Sequence, residues 1–353
     1  MKLGFGLYRH QLNRSHYRFA RQIGATHLVV HYVDYFNLGD GENDRGNQPT
    51  GGLGGWGHAG DPNQLWSAEE LIALRKEVEA EGLILHAIEN FDPAHWFDVL
   101  LAGPRREEQL EGLKEIIRNV GAAGIPVFGY NFSLAGVYGR AKGPFARGGA
   151  ESVGLLGTMD HTPIPNGMIW NMVYDANATP GAIPPCSQED LWGRLQVFLD
   201  ALLPVAEAAG VTLAAHPDDP PLPEVRGTPR LVYQPDLYQR LIDINPSPSN
   251  QLEFCLGTIA EMSEGDVYSA TERYASQNRL AYIHFRNVLG RVPNYVEAFV
   301  DEGDIDMRRI VEILRRNNFQ GVLIPDHTPV PDCPGGWYAG MAYAMGYMRM
   351  ALS

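Results

Sequence analysis

Cysteine is scarce in this chain: Cys186, Cys255 and Cys333 are all it has in 353 residues. Three scattered thiols cannot build a disulfide framework, so a reducing compartment is expected, where a thiol either packs in the core or ligates as thiolate. Long apolar runs are missing as well. No stretch approaches the ~20 residues that cross a bilayer, and the opening MKLGFGLYRHQ lacks the apolar segment of a secretion signal. A cytoplasmic protein is expected. Basic charge is also short, with 28 Lys and Arg against 42 Asp and Glu and a net charge of -14. That balance excludes nucleic acid and anionic membranes as the main partner. A small acidic metabolite stays open, provided a cation or a few arginines sit in its pocket.

What is present is alternation. Short apolar runs occupy residues 3–8, 27–32, 84–88, 127–130, 211–216, 252–255, 281–285 and 322–325. Most are rich in Val, Ile, Leu or aromatics, as strands buried on both faces should be. Amphipathic helical patterns lie between them. Ser67 and Ser187 read as N-caps, Gly124 and Gly210 as stops, and further helices are expected over 234–244, 266–276, 306–317 and 338–352. Strand and helix alternating through the whole chain predict a single (β/α)8 TIM-barrel domain over 1–353. The competing doubly wound sheet is weakened because no Gly-rich nucleotide loop follows the first strand. Two Gly-, Pro- and Asn-rich stretches, 37–63 and 134–185, follow strands two and four. In a barrel they emerge at the C-terminal face, where long loops act as lids or subunit contacts.

The last four strands end alike. LAAHPDD closes on His216, LEFC on Cys255, YIHFRN on His284 and LIPDH on Asp326. A barrel brings its strand ends to one mouth, so these four become neighbours. Two imidazoles, a thiolate and a carboxylate suit a divalent transition metal: Mn, Fe, Co, Ni or Zn. Taken singly, a strand-end His or a strand Cys is more often a packing residue. Four ligand types at four successive strand ends outweigh that. Beside them stand Arg286, whose planar fork suits a substrate carboxylate or else an ordinary salt bridge, and Asn131, Asn287 and Asp218. His327 is a general acid or base, or else a partner that orients Asp326.

These segments resemble the mannonate dehydratase family, within the xylose-isomerase-like barrels. The resemblance runs through ARQIGATHLV, WSAEELIALRKEVEAEGL, IRNVGAAGIPVFGYNF, LAAHPDDPP with GTPRLV, LEFCLGT, IHFRNV and GDIDM leading to PDH. It implies a manganese-type ion on His216, Cys255, His284 and Asp326. It also implies an oligomeric hydro-lyase converting D-mannonate to 2-keto-3-deoxy-D-gluconate. The family's acid/base pair falls on His327 and on a C-terminal tyrosine, with Tyr338 in PGGWYAGM the best match and Tyr343 the alternative. This chain departs from the family at Ile324 and Thr328 (IPDHT for RPDHG), and at Val300, where the family carries His. The ligands are kept while positions around the substrate differ, so an isomerase, epimerase or eliminase acting on an uncharged or modified sugar is the alternative.

Overall fold

The computed structural model describes residues 1–37, 48–50, 54–157 and 161–353. The parts of the first long loop at 38–47 and 51–53 lie outside the described residues. Eight parallel strands close a barrel: β1 (Lys2–Leu7), β2 (His27–His31), β3 (Ile84–Glu89), β4 (Val127–Tyr130), β5 (Thr212–Ala215), β6 (Asn250–Cys255), β7 (Leu280–His284) and β8 (Val322–Ile324). Strands β1 and β8 pair with each other, Lys2 opposite Val322, which completes the ring.

Eight principal helices follow the strands: α1 (Arg14–Gln22), α2 (Ala68–Ala80), α3 (Arg106–Ala122), α4 (Gln188–Ala209), α5 (Leu237–Ile244), α6 (Val267–Ser276), α7 (Met307–Arg316) and α8 (Gly336–Leu352). Ser67 and Ser187 cap α2 and α4, each closing a capping box with the acidic residue three positions on. Gly210 ends α4 in the left-handed conformation that a Cβ disfavours. Helix α1 lies outside the helical stretches expected from periodicity. Its start is fixed by the Asn13 side chain, which accepts from Ser15 and His16.

The strands bury both faces. Outward residues such as Phe5, Leu28 and Phe254 join the large core beneath the helices. Inward residues form a separate cluster that includes Val29, Ala87, Val127, Ala214, Tyr282, Val322 and Ile324. Side chains in a strand alternate with period two. Extending each inward series towards the C-terminal mouth reaches Tyr8, His31, Glu89, Asn131, His216, Cys255, His284 and Asp326. The chemistry of the mouth is therefore the last inward residue of every strand.

The long loop after β4 is partly strand. Ala141–Ala146 and Ala150–Leu156 pair with a hairpin after β7, Asn287–Arg291 and Asn294–Ala298, in one four-stranded antiparallel sheet. Gly57–His58, from the loop after β2, pairs with Met172–Val173 from the loop after β4. These additions stand at the barrel mouth and narrow it. Among the described residues, no helix is long and apolar enough to cross a membrane.

Candidate metal centre and pocket

Register builds the centre. Parallel pairing sets Cys255 of β6 opposite His284 of β7. His216, one residue beyond β5, brings its ring to a centroid distance of 5.3 Å from that of His284. One ligand atom from each of His216, Cys255 and His284 lies within 4.8 Å of the others. Asp326 stands at the edge of this trio, its Oδ2 3.2 Å from His284 Nδ1 and 3.1 Å from His327 Nε2. Its backbone has a φ of 60°, a left-handed conformation uncommon for residues other than Gly and best tolerated among them by Asn and Asp.

Each candidate ligand is prepared by a neighbour. His216 Nδ1 lies 2.6 Å from the Pro217 carbonyl; donating there leaves Nε2 with its lone pair for a ligand. Burial pushes the Cys255 thiol up, but Arg286 beside it and contacts with His216 and His284 prevail and hold it well below the ordinary thiol range. Its Sγ accepts from the Thr258 hydroxyl at 3.2 Å. Burial likewise raises Asp326, and His284 and His327 overcome this to hold its carboxyl well below the usual range. His284 is 2% exposed, and neither ring nitrogen makes a well-formed hydrogen bond. Three carboxylates nevertheless crowd it, with Glu89 at 3.2 Å and Glu253 at 3.3 Å from Nε2 and Asp326 on the other side. Orphaned imidazole nitrogens beside a thiolate and carboxylates fit a divalent cation.

The pocket above the centre has an empty volume of about 540 Å³ including its open mouth, a size suited to a small metabolite. His327 lines it, with Nδ1 2.9 Å from Glu297 Oε2. Burial lowers its pKa, but Asp326 and Glu297 more than compensate and raise it to about 9. Asn131 also lines it. Its amide is occupied in bracing the wall, donating to the Pro217 carbonyl and accepting from the Trp170 indole at 3.1 Å.

Four of the residues expected at the site are not brought to the pocket. Arg286 lies beneath it, bonded to Glu261 at 2.7 Å, Asp219 at 2.9 Å and Thr258 at 2.8 Å, and braces Cys255 from below. Gly257 gives it room, since a Cβ there would stand 2.5 Å from the guanidinium. Asn287 is a backbone clamp: it donates to the Val300 and Ile305 carbonyls and accepts from the Ile305 amide. Asp218 clamps a loop through the Leu231 and Val232 amides, both at 2.8 Å. Tyr338 is 40% exposed on the first turn of α8, its ring against Phe19 and its hydroxyl 3.2 Å from His16. Tyr343, on the same helix, donates to Asp301 at 2.8 Å and is exposed as well. Helix α8 packs on the barrel's outside, so neither phenol reaches the mouth.

Other groups fill the pocket. Arg140, at the start of the inserted sheet, lines it with its Nη1 3.2 Å from Glu297 and 3.6 Å from Asp219. Tyr8, His31, Tyr35, Glu89 and Glu253 complete the polar wall, while Trp56 and Trp170 pack edge to face at its rim. Burial and Glu89 together raise the Glu253 carboxyl well above its ordinary range, while His31 and His284 hold Glu89 low against its own burial.

A family model described as D-mannonate dehydratase (UxuA) matches residues 47–142 and 181–350. The stretch it passes over, 143–180, contains the inserted strand Ala150–Leu156 and Trp170. The chain is 35% identical over 276 residues to mannonate dehydratase of Streptococcus equi subsp. zooepidemicus, covering 75% of each chain. Among solved structures, mannonate dehydratase from Streptococcus suis serotype2 is similar over 100% of this chain and 92% of its own, with a TM-score of 0.76 and 28% identity. D-psicose 3-epimerase from Clostridium cellulolyticum H10, covered over 100% of both chains, has a TM-score of 0.57 at 12% identity, a likeness of fold alone.

Proposed function

This chain belongs to the D-mannonate dehydratase family, and we propose on that premise that it removes water from D-mannonate or a related aldonate, giving a 2-keto-3-deoxy acid. The observation that carries the reading is the meeting of His216, Cys255, His284 and Asp326 at one mouth, with His327 facing the same pocket. These four would hold a divalent ion, manganese first among the candidates and Fe, Co, Ni or Zn after it. When bound there, the ion supplies Lewis-acid polarisation of the acid's carboxylate and hydroxyl oxygens.

The chain's own residues do the rest. Arg140 faces the pocket and pairs with the substrate carboxylate, the task that Arg286, enclosed by Glu261 and Asp219, is not placed to perform. His327, held by Glu297, carries the proton given to the leaving C3 hydroxyl. Trp56 and Trp170 exclude water from the reacting carbons. A homo-oligomer in the cytoplasm is the setting, supported by the few free thiols and the long mouth-side loops.

The alternative, an isomerase or epimerase acting on an uncharged sugar, draws support from Arg286 lying outside the pocket. Arg140 answers it by restoring a cation there. The test is to load the purified protein with Mn²⁺ and assay a panel of aldonates for 2-keto-3-deoxy acids, with uncharged ketoses alongside. Product from at least one aldonate is expected. Turnover of a ketose with no product from any aldonate replaces this reading with the alternative.

A further inference from the structure

Dehydration removes one proton from C2 and delivers one to the hydroxyl leaving C3, so it needs two groups. His327 serves one, and Tyr338 lies outside the pocket. The pocket holds another candidate two strands round the barrel from His327, at the end of β2. Parallel pairing of β2 with β3 places His31 in register with Glu89, both facing inward. His31 Nε2 stands 3.5 Å from Glu89 Oε2, and its Nδ1 stands 3.3 Å from the hydroxyl of Tyr35. Asn90 donates to that phenol oxygen at 3.0 Å. The Tyr35 contact and the nearness of Glu89, whose Oε2 makes no hydrogen bond, fit one arrangement of protons. Nε2–H points to the carboxylate, Nδ1 keeps its lone pair, and the Tyr35 O–H points to Nδ1. Tyr35, His31 and Glu89 all line the cavity that His327 and Asp326 line. Phenylalanine would pack as well as Tyr35 against Trp56 and Trp170, so packing gives no reason for the hydroxyl.

We propose that Tyr35 is the base that takes the C2 proton, with His31 and Glu89 as the residues that position and polarise it. The inference rests on the dehydration reading above. As the C2–H bond breaks, its proton passes to Tyr35 Oη and the phenol's own proton passes to His31 Nδ1. The electron pair of the C2–H bond becomes the C2–C3 double bond, and the C3–O bond breaks with its pair on oxygen. That oxygen takes the proton of His327 and departs as water. The imidazolium at His31 is balanced by Glu89, and proton exchange with solvent resets both histidines while the enol becomes the 2-keto acid. The order of parts is that of a nucleophile, histidine and carboxylate in line, with a phenol in the first place.

The test uses the full-length, metal-loaded enzyme with Tyr35→Phe, His31→Gln and the double variant. Tyr35→Phe should lower kcat by about 100-fold or more, the scale of a lost general base, with KM and metal affinity changed less than about threefold. The isotope effect with C2-deuterated substrate should rise in this variant, which loss of packing alone does not produce. Because the two residues act in series, the double variant should be no slower than the slower single one. A kcat for Tyr35→Phe within about threefold of wild type overturns the proposal, as does a double variant whose loss is the product of the single losses. Exchange in D₂O of the proton next to the carboxylate or carbonyl (C2–H of aldonates, C3–H of ketoses), followed by NMR, separates this from the dehydration reading. If wild type makes no keto-deoxy acid, that reading fails, and exchange abolished by Tyr35→Phe still supports the base. Exchange equal in both proteins, or a wild type that gives neither product nor exchange, overturns it.

Discussion

The imidazole of His327 and the carboxylate of Glu297 meet at 2.9 Å, joining the end of β8 to a hairpin inserted after β7. The same carboxylate holds Arg140 at 3.2 Å and accepts from Gln48 at 2.9 Å. One buried anion thus organises His327, Arg140 and the loop after β2. Replacing it by Glu297→Gln keeps the shape and removes the charge. We expect kcat to fall about 10–100-fold, the range for a lost orienting partner, and Tm to fall with it. Steady-state kinetics and a thermal melt check both.

Metal should stabilise the fold through the same four residues. At a free Mn²⁺ concentration 100 times its Kd, binding to the native state alone adds about 2.7 kcal/mol. Chelation should therefore lower Tm and abolish activity, and re-addition should restore both. In Cys255→Ala the metal-dependent rise in Tm should shrink or vanish. A full rise in that variant would place the ion elsewhere.

Arg286 is surrounded by carboxylates, with Glu261, Asp219 and Glu297 all within 3.6 Å. Removing a buried cation leaves such anions uncompensated, at a cost of about 3–5 kcal/mol. Arg286→Leu should be strongly destabilised, as read by urea unfolding. Arg286→Lys should recover little, since one ammonium cannot bridge Glu261, Asp219 and Thr258 together. The loss of metal affinity should follow, because Cys255 loses the charge that favours its thiolate.

Acid should weaken the barrel in a defined window. Burial, with Lys2 nearby, lowers His27 to about 4; burial, with His27 and Lys2, lowers His86 to about 4. An unfolded histidine takes its proton near ~6.5. Between these values the unfolded chain binds more protons, so stability falls as pH drops from about 6.5 to 4. His327, raised to about 9, keeps its proton in the native state throughout that interval; its unfolded form loses its own near ~6.5, so it opposes the slope only at the upper end. Asp219, held near 2 against burial by Arg140 and Arg286, gives up its share only at still lower pH. Melts across pH 4 to 7 should show the decline, and His86→Leu should flatten it.

Much of this was legible in the sequence, for a physical reason. Strands buried on both faces advertise themselves as apolar runs, and all eight barrel strands fall within or overlap those runs. The four candidate ligands were legible because each continues the inward series of its strand at the C-terminal end. The same period-two reading, carried back to the first three strands, reaches Tyr8, His31 and Glu89 as well. Glu253, two residues before Cys255 in an otherwise apolar LEFC, gave the same signal. Arg286, Asn287 and Asp218 were harder, because proximity to a ligand in sequence does not say which way a side chain points. Their bonds turn them into clamps. Arg140, Trp56 and Trp170 come from inserted loops with no period to read, and their place depends on strand pairing between distant segments. Tyr338 sits on a helix whose packing, not its motif, decides which side of the barrel it faces.

The left-handed backbone of Asp326 sets two demands on one position against each other. Conformation favours Gly there over any residue with a Cβ, Asn and Asp included, while the proposed ligation needs a carboxylate. A population of variants selected only for resistance to heat without metal should drift at this position towards Gly. One selected for turnover should hold Asp and recover the lost stability at other positions.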